Sequence, residues 1–382
     1  MKKTINSVLR GVRNTLLILI ILELILSIVF NFNDKRRYNE NVAFKIASGA
    51  YVGVDEEIVK EIYEELYYLD TQWNPYTHFK LKKQTTKYNN INAKGHRKTL
   101  NRNLKDSTNA LKIFCFGGST MYSTGARDTM SIPSILSKLI YERFPKINVE
   151  IINFGCHGYN RSVENIQLQH ELLNENIPDI AIFYDGVNEV ISGYLNNEAG
   201  LPTNAILNKQ ESKIRFSYKR KVKLLLQSSY TNRLIKFLKN KLFRHKNINH
   251  KASKKLSTEI ADNYINNLKI TKSLSEHFKF NVYNFLQPNI FNKKVLSDPE
   301  KIMLKNSYYY EDLYKNSYKS ITEHNSIKND STFVNISRSF DEEYQTIYTD
   351  FCHTGEKGNS IVAKNIMDYL KPVLYEKSKV LE

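Results

Sequence analysis

The chain has 382 residues, is 41% hydrophobic and carries a formal net charge of +17. That apolar content allows a substantial core in one large domain or two small ones, and three sparse cysteines (Cys115, Cys156, Cys352) without a Cys-x-x-Cys exclude a disulfide framework. The charge is blocked rather than scattered: residues 213–255 hold 15 Lys/Arg and no Asp/Glu, which points to an anionic partner surface.

Residues 16–30, LLILIILELILSIVF, are apolar except for Glu23 and Ser27. Their 13 Leu/Ile/Val/Phe residues favour membrane insertion by roughly 4–8 kcal/mol, against about 3 kcal/mol for one central carboxylate. No small-residue cleavage site follows, so an uncleaved signal anchor is expected within residues 1–37. Lys2, Lys3, Arg10 and Arg13 favour an inside N-terminus and Lys35, Arg36 and Arg37 oppose it. The expected topology is single-pass, with the bulk of the chain outside the cytoplasm. Residues 38–110 read as an extension. IVKEIYEELYYL within it has a helical apolar stripe, and 71–105 turn polar and irregular.

From 111 onward short apolar strands alternate with amphipathic helices. Strands are expected at 111–116, 148–154, 179–184, 281–286 and 332–336. Helices are expected from Ser131, an N-cap followed by Pro133, to about Phe144, then over 163–176 and 356–376. This alternation implies a five-stranded parallel sheet covered on both faces, a three-layer α/β/α sandwich over 111–382.

Four short motifs punctuate this pattern: FGGST (116–120), CHGYN (156–160), DGVNE (185–189) and DFCH (350–353). The first three follow strands, at the carboxyl ends where open α/β sheets bind ligands. They contain the parts for acyl transfer. Ser119 is a nucleophile on a glycine turn, His353 a base, and Asp350, three residues earlier, fixes its tautomer. The amides of Ser119 and Gly158 and the side chain of Asn188 can hold an oxyanion. Each motif has a plainer use. A glycine turn can cradle phosphate, though no P-loop lysine follows, Asn188 can cap a helix, and His157 suits a structural place on a tight turn. The histidines form neither H-x-x-x-H nor H-E-x-x-H, so no catalytic metal or cofactor is expected.

The four blocks, carrying Ser, Gly, Asn and His in that order, resemble the SGNH (GDSL-like) hydrolase family over roughly residues 111–376. Gly118 and Thr120 depart from the namesake block, and Glu189 stands where the family commonly has Asp, a carboxylate expected near the pocket. The segment 73–97 and FLQPN (285–289) are similar to membrane-anchored bacterial members. The resemblance implies an SGNH/flavodoxin-like fold and a serine esterase or O-acyltransferase. Its substrate would be O-acyl (acetyl) groups of cell-envelope carbohydrate. Asp185 and Gln287 are further candidates for contacting substrate.

Between the third and fourth strands lies an insertion at about 194–278. Leu224–Leu226, Leu234, Ile235, Leu238, Leu242 and Phe243 recur there at helical spacing among Lys and Arg. This basic amphipathic helix either packs on the core or meets anionic headgroups or an acidic polymer. Nucleic acid is not an expected partner for an anchored, outward-facing domain. Two other readings stand beside the first: a lipase or thioesterase working at the membrane surface, and a non-catalytic binding protein that keeps the fold.

Overall fold

The computed structural model describes residues 2–102, 104–203, 205, 229–242 and 250–379. In chain order the elements are α1 (Lys2–Ala47), α2 (Glu56–Tyr67), β1 (Thr71–Asn74), β2 (His78–Leu81), β3 (Leu111–Gly117), α3 (Ser119–Tyr122), α4 (Ile132–Arg143), β4 (Val149–Asn153), α5 (Arg161–Leu173), β5 (Ile180–Asp185) and α6 (Val187–Asn196). There follow α7 (Tyr230–Leu242), α8 (His250–Phe278), β6 (Asn281–Leu286), α9 (Asp298–Ser307), α10 (Glu311–Thr322), β7 (Phe333–Asn335) and α11 (Glu356–Lys379).

The five expected strands form one parallel sheet in the order β4-β3-β5-β6-β7. The chain moves one way from β3 to β4 and the other way from β4 to β5. Right-handed crossovers therefore place α4 and α5 on opposite faces. α11 packs beside α4, and α8 packs with α5, α6 and α10. The result is the three-layer α/β/α sandwich. Its core is dense in phenylalanine. Phe116 stacks on Phe154 and Phe183 at 4.7 Å each, with Phe114, Leu168 and Val282 around them. The crevice at the carboxyl ends of β3 and β5 is the topological switch point of the sheet.

Local chemistry accounts for the boundaries. Ser131 caps α4, its hydroxyl accepting from the Ser134 amide, with Pro133 in the first turn. Asp55 caps α2, whose Val59, Ile62 and Tyr63 are buried. The stripe IVKEIYEELYYL falls on α2 as far as Tyr67, and residues 48–55 separate it from α1. The stretch 71–105, read as irregular, contains the hairpin β1–β2. Asn74 closes its turn by accepting from the Tyr76 and Thr77 amides.

The expected insertion is corrected in one respect. Its final part is the crossover helix α8, which buries Leu256, Ile260, Tyr264, Ile265 and Leu268 and so belongs to the sandwich. Of the basic stretch, residues 213–228 and 243–249 lie outside the described residues, including Leu224–Leu226 and Phe243.

The chain divides into two units, Met1–Phe44 with Ile206–Ile248, and Lys45–Ala205 with Asn249–Glu382. In the first, α1 is long and apolar enough to cross a membrane. Glu23, the one charge in its apolar run, accepts hydrogen bonds from the first amides of α7, Tyr230 at 2.8 Å and Thr231 at 3.2 Å. Arg233 pairs with Asp34 at 2.7 Å and lies over the Phe30 ring.

Candidate active site

Ser119 opens the four-residue helix α3 directly after β3, with Gly118 as its N-cap. The brevity of α3 leaves the serine half-buried rather than packed away. Its Oγ lies 2.7 Å from His353 Nε2, and His353 Nδ1 lies 2.7 Å from Asp350 Oδ2. The other carboxylate oxygen, Oδ1, accepts from the backbone amides of Cys352 (2.9 Å) and His353 (2.7 Å). One aspartate thus folds its own loop and orients the imidazole.

Burial opposes the Asp350 charge. The facing His353, its ring and amide hydrogen bonds, and the charge of Lys45 outweigh that and hold the carboxyl well below the usual range.

The loop carrying this pair is fixed from two sides. Glu300, fully buried, accepts from the amides of Ile347 (2.9 Å) and Tyr348 (3.3 Å) and pairs with Lys293 at 2.6 Å. Glu356, at the start of α11, is held by Arg127 at 2.6 Å, from the loop that follows α3. The Ala50 carbonyl lies against Gly355, so the segment just after α1 backs the same loop.

The remaining blocks meet at the glycine turn. Asn188 Nδ2 donates to the Tyr159 carbonyl at 2.5 Å, and it fills the space beside the Gly118 Cα. Gly158 sits at φ +74°, a left-handed conformation that favours glycine, and its carbonyl accepts from Thr203 Oγ1 at 2.9 Å. Among the described residues neither the Ser119 amide nor the Gly158 amide has a hydrogen-bond acceptor. Ser119, Gly158, Asn188, Asp350 and His353 are all half-buried, so solvent and small molecules reach them.

Three expectations change. Asp185 does not face this crevice. Its carboxylate pairs with Arg161 at 2.8 Å, both side chains being buried, beneath α5. Burial of that pair removes it from substrate contact. Glu189 is likewise turned inward, Oε1 accepting from the Arg161 amide (2.6 Å) and Oε2 from the Gly186 amide (2.7 Å). It caps two helix starts instead of lining a pocket, and burial with nearby Asp185 pushes it up to about 7. Gln287 is only 2% exposed. Its Oε1 accepts from Thr120 at 3.3 Å, so it braces the residue after Ser119 from behind.

His157 takes the structural place. Its Nε2 lies 2.7 Å from Thr124 Oγ1, and burial, then His353 and Arg97, bring it down to about 3. The three cysteines are buried and free. Nothing in the sequence marks Lys45, Glu300 or Arg127, whose partners in this loop lie far along the chain. Tyr159 stood inside CHGYN, but a backbone carbonyl leaves no mark in residue type.

No protein-family model matches the chain, and no curated protein matches its sequence. Among solved structures it is similar to the lipase Lip_vut3 from a goat rumen metagenome (13% identity, 68% of this chain and 97% of that one, TM-score 0.38). It is also similar to the acetyl xylan esterase AlAXEase (13%, 67% and 98%, 0.36) and to Axe2, an acetylxylan esterase from Geobacillus stearothermophilus (15%, 68% and 93%, 0.33). Likenesses of this degree assign no activity.

Proposed function

We propose that the chain is a serine-dependent ester hydrolase or O-acyltransferase of the SGNH type. The observation that carries this is the unbroken relay from Asp350 Oδ2 through both ring nitrogens of His353 to Ser119 Oγ, two contacts of 2.7 Å. In this reading Ser119 attacks the ester carbonyl while His353 Nε2 takes its proton. The charge on the carbonyl oxygen falls to the Ser119 and Gly158 amides and Asn188 Nδ2. His353 then protonates the departing alkoxide. Water, or a sugar hydroxyl activated by the same nitrogen, releases the acyl group from Ser119.

The substrate class is the O-acyl group, such as acetyl, of cell-envelope carbohydrate. This rests on the sequence resemblance to anchored bacterial members. Anchoring through α1 in a single pass, with the catalytic domain outside the cytoplasm, completes the reading. The anchor itself is supported by the length and apolar run of α1, in which the Glu23 carboxylate is satisfied by the α7 amides.

A second reading, a lipase or thioesterase acting at the membrane surface, draws on α7, where Ile235, Phe237 and Leu238 are exposed beside Arg233 and Lys236. A panel of p-nitrophenyl esters of rising chain length, with and without oligosaccharide acceptors, separates them. Acetyl preference and acceptor-dependent transfer support the carbohydrate reading, and long-chain preference supports the lipase. Hydrolysis of no ester removes both.

A further inference from the structure

The loop that holds Asp350 and His353 carries a third side chain able to ligate a metal, the buried thiol of Cys352, for which acyl transfer has no use. Cys352 Sγ lies 3.6 Å from His353 Nδ1, and ligand atoms of Asp350, Cys352 and His353 all lie within 4.8 Å of one another. We infer that these three side chains form an inhibitory site for a soft divalent cation, typified by Zn²⁺, which silences the relay by taking His353 Nδ1 away from Asp350.

The sulfur–nitrogen edge already matches that of a bound ion. Zinc bonds a thiolate at about 2.3 Å and an imidazole nitrogen at about 2.0–2.1 Å, and a tetrahedral angle between them sets sulfur and nitrogen about 3.5–3.6 Å apart. Cys352 and His353 already stand at that separation. Asp350 Oδ2, at 2.7 Å from Nδ1, is at hydrogen-bond spacing. The matching edge between nitrogen and oxygen ligands is about 3.3–3.4 Å, so the carboxylate has to swing outward by well under ~1 Å. Its side chain is 35% exposed and the imidazole 20%, so the ion approaches past these two toward the sulfur of Cys352, a residue itself only 5% exposed. Water supplies the fourth ligand. Thiolate and imidazole select zinc and copper over magnesium and calcium.

The proton balance explains the inhibition. Binding releases the Cys352 thiol proton to solvent. The ring proton leaves Nδ1, where the metal now sits, and Nε2 gains one, so the imidazole stays neutral. Nε2 then donates toward Ser119 Oγ instead of accepting from it, and the base is lost. One proton is released per ion bound, so affinity rises with pH. The inhibition rests on the hydrolase reading, whereas binding does not.

The test uses the full chain with Co²⁺ as the visible probe and Zn²⁺ as the inhibitor. Co²⁺ should give a thiolate charge-transfer band that Cys352→Ser abolishes and Ser119→Ala retains. Zn²⁺ should inhibit p-nitrophenyl acetate hydrolysis, EDTA should reverse this, and Mg²⁺ and Ca²⁺ should have no effect. Cys352→Ser should keep basal turnover and raise the half-inhibiting Zn²⁺ concentration at least about tenfold. No band at saturating Co²⁺, or the same band and Zn²⁺ sensitivity in Cys352→Ser, overturns the site. A Cys352-dependent band in a chain that hydrolyses no ester keeps the metal site and removes the hydrolase. An active esterase with no band does the reverse.

Discussion

The side-chain amide of Asn188 occupies the space that a Cβ on Gly118 would need, while donating to the Tyr159 carbonyl at 2.5 Å. Residues from three separate strand ends are thereby locked together next to Ser119. Asn188→Ala should lower turnover by about 10²–10³-fold with little change in KM, as for loss of one oxyanion donor. Gly118→Ala should reach a similar loss by displacing Asn188, and the double variant should be hardly worse than either. Additive losses in steady-state kinetics would separate the two residues.

His353 and Asp350 should behave as a unit. Asp350→Asn keeps the shape but favours the wrong ring tautomer, and about a 10⁴-fold fall in turnover is expected. His353→Ala should be at least as severe, and the double variant close to His353→Ala alone. Multiplied losses would break the relay.

Glu300 should matter for stability more than for chemistry. Removing it by Glu300→Ala leaves Lys293 charged with its side chain fully buried and frees the amides of Ile347 and Tyr348. About 3–5 kcal/mol of stability should be lost, read as a drop in urea midpoint. A change under about 1 kcal/mol would mean the pair does not hold the loop.

Acid should destabilise the fold through its buried imidazoles. The His96 ring lies tilted against Phe154 at 4.3 Å, and burial, then the charges of Lys94 and Lys80, bring its pKa from 6.5 down to about 4. The unfolded chain therefore gains a proton that the folded chain refuses, and stability falls as the pH drops from 6.5 toward about 4. The loss is on the order of 2–3 kcal/mol by about pH 4.5. His157, lowered to about 3, acts in the same direction. His96→Phe keeps a ring on Phe154 and removes the proton, so its melting temperature should fall less over that range. Parallel curves for the two proteins would contradict this.

The sandwich was legible because each buried strand is a short apolar run and each crossover helix has a stripe of its own. Ser119, Gly158, Asn188, Asp350 and His353 were legible because their residue types sit at strand ends or before the last helix, where chemistry-bearing side chains have few structural tasks. Asp185 and Glu189 show the limit. They belong to the same block as Asn188, yet residue type does not say which side of the sheet a carboxylate faces, and Arg161, 24 residues before Asp185, decides it. The β1–β2 hairpin escaped because strands of four residues carry too little alternation. The Lys293–Glu300 pair escaped because its backbone partners lie 47 and 48 residues beyond Glu300.

The central claim is that Ser119 is an activated nucleophile. Incubating the full chain with a fluorophosphonate and weighing the intact protein tests it most directly. One adduct should form, peptide mapping should place it on Ser119, and Ser119→Ala should stay unlabelled with its melting temperature little changed. No adduct on the folded wild-type chain, or equal labelling of Ser119→Ala, would contradict the account.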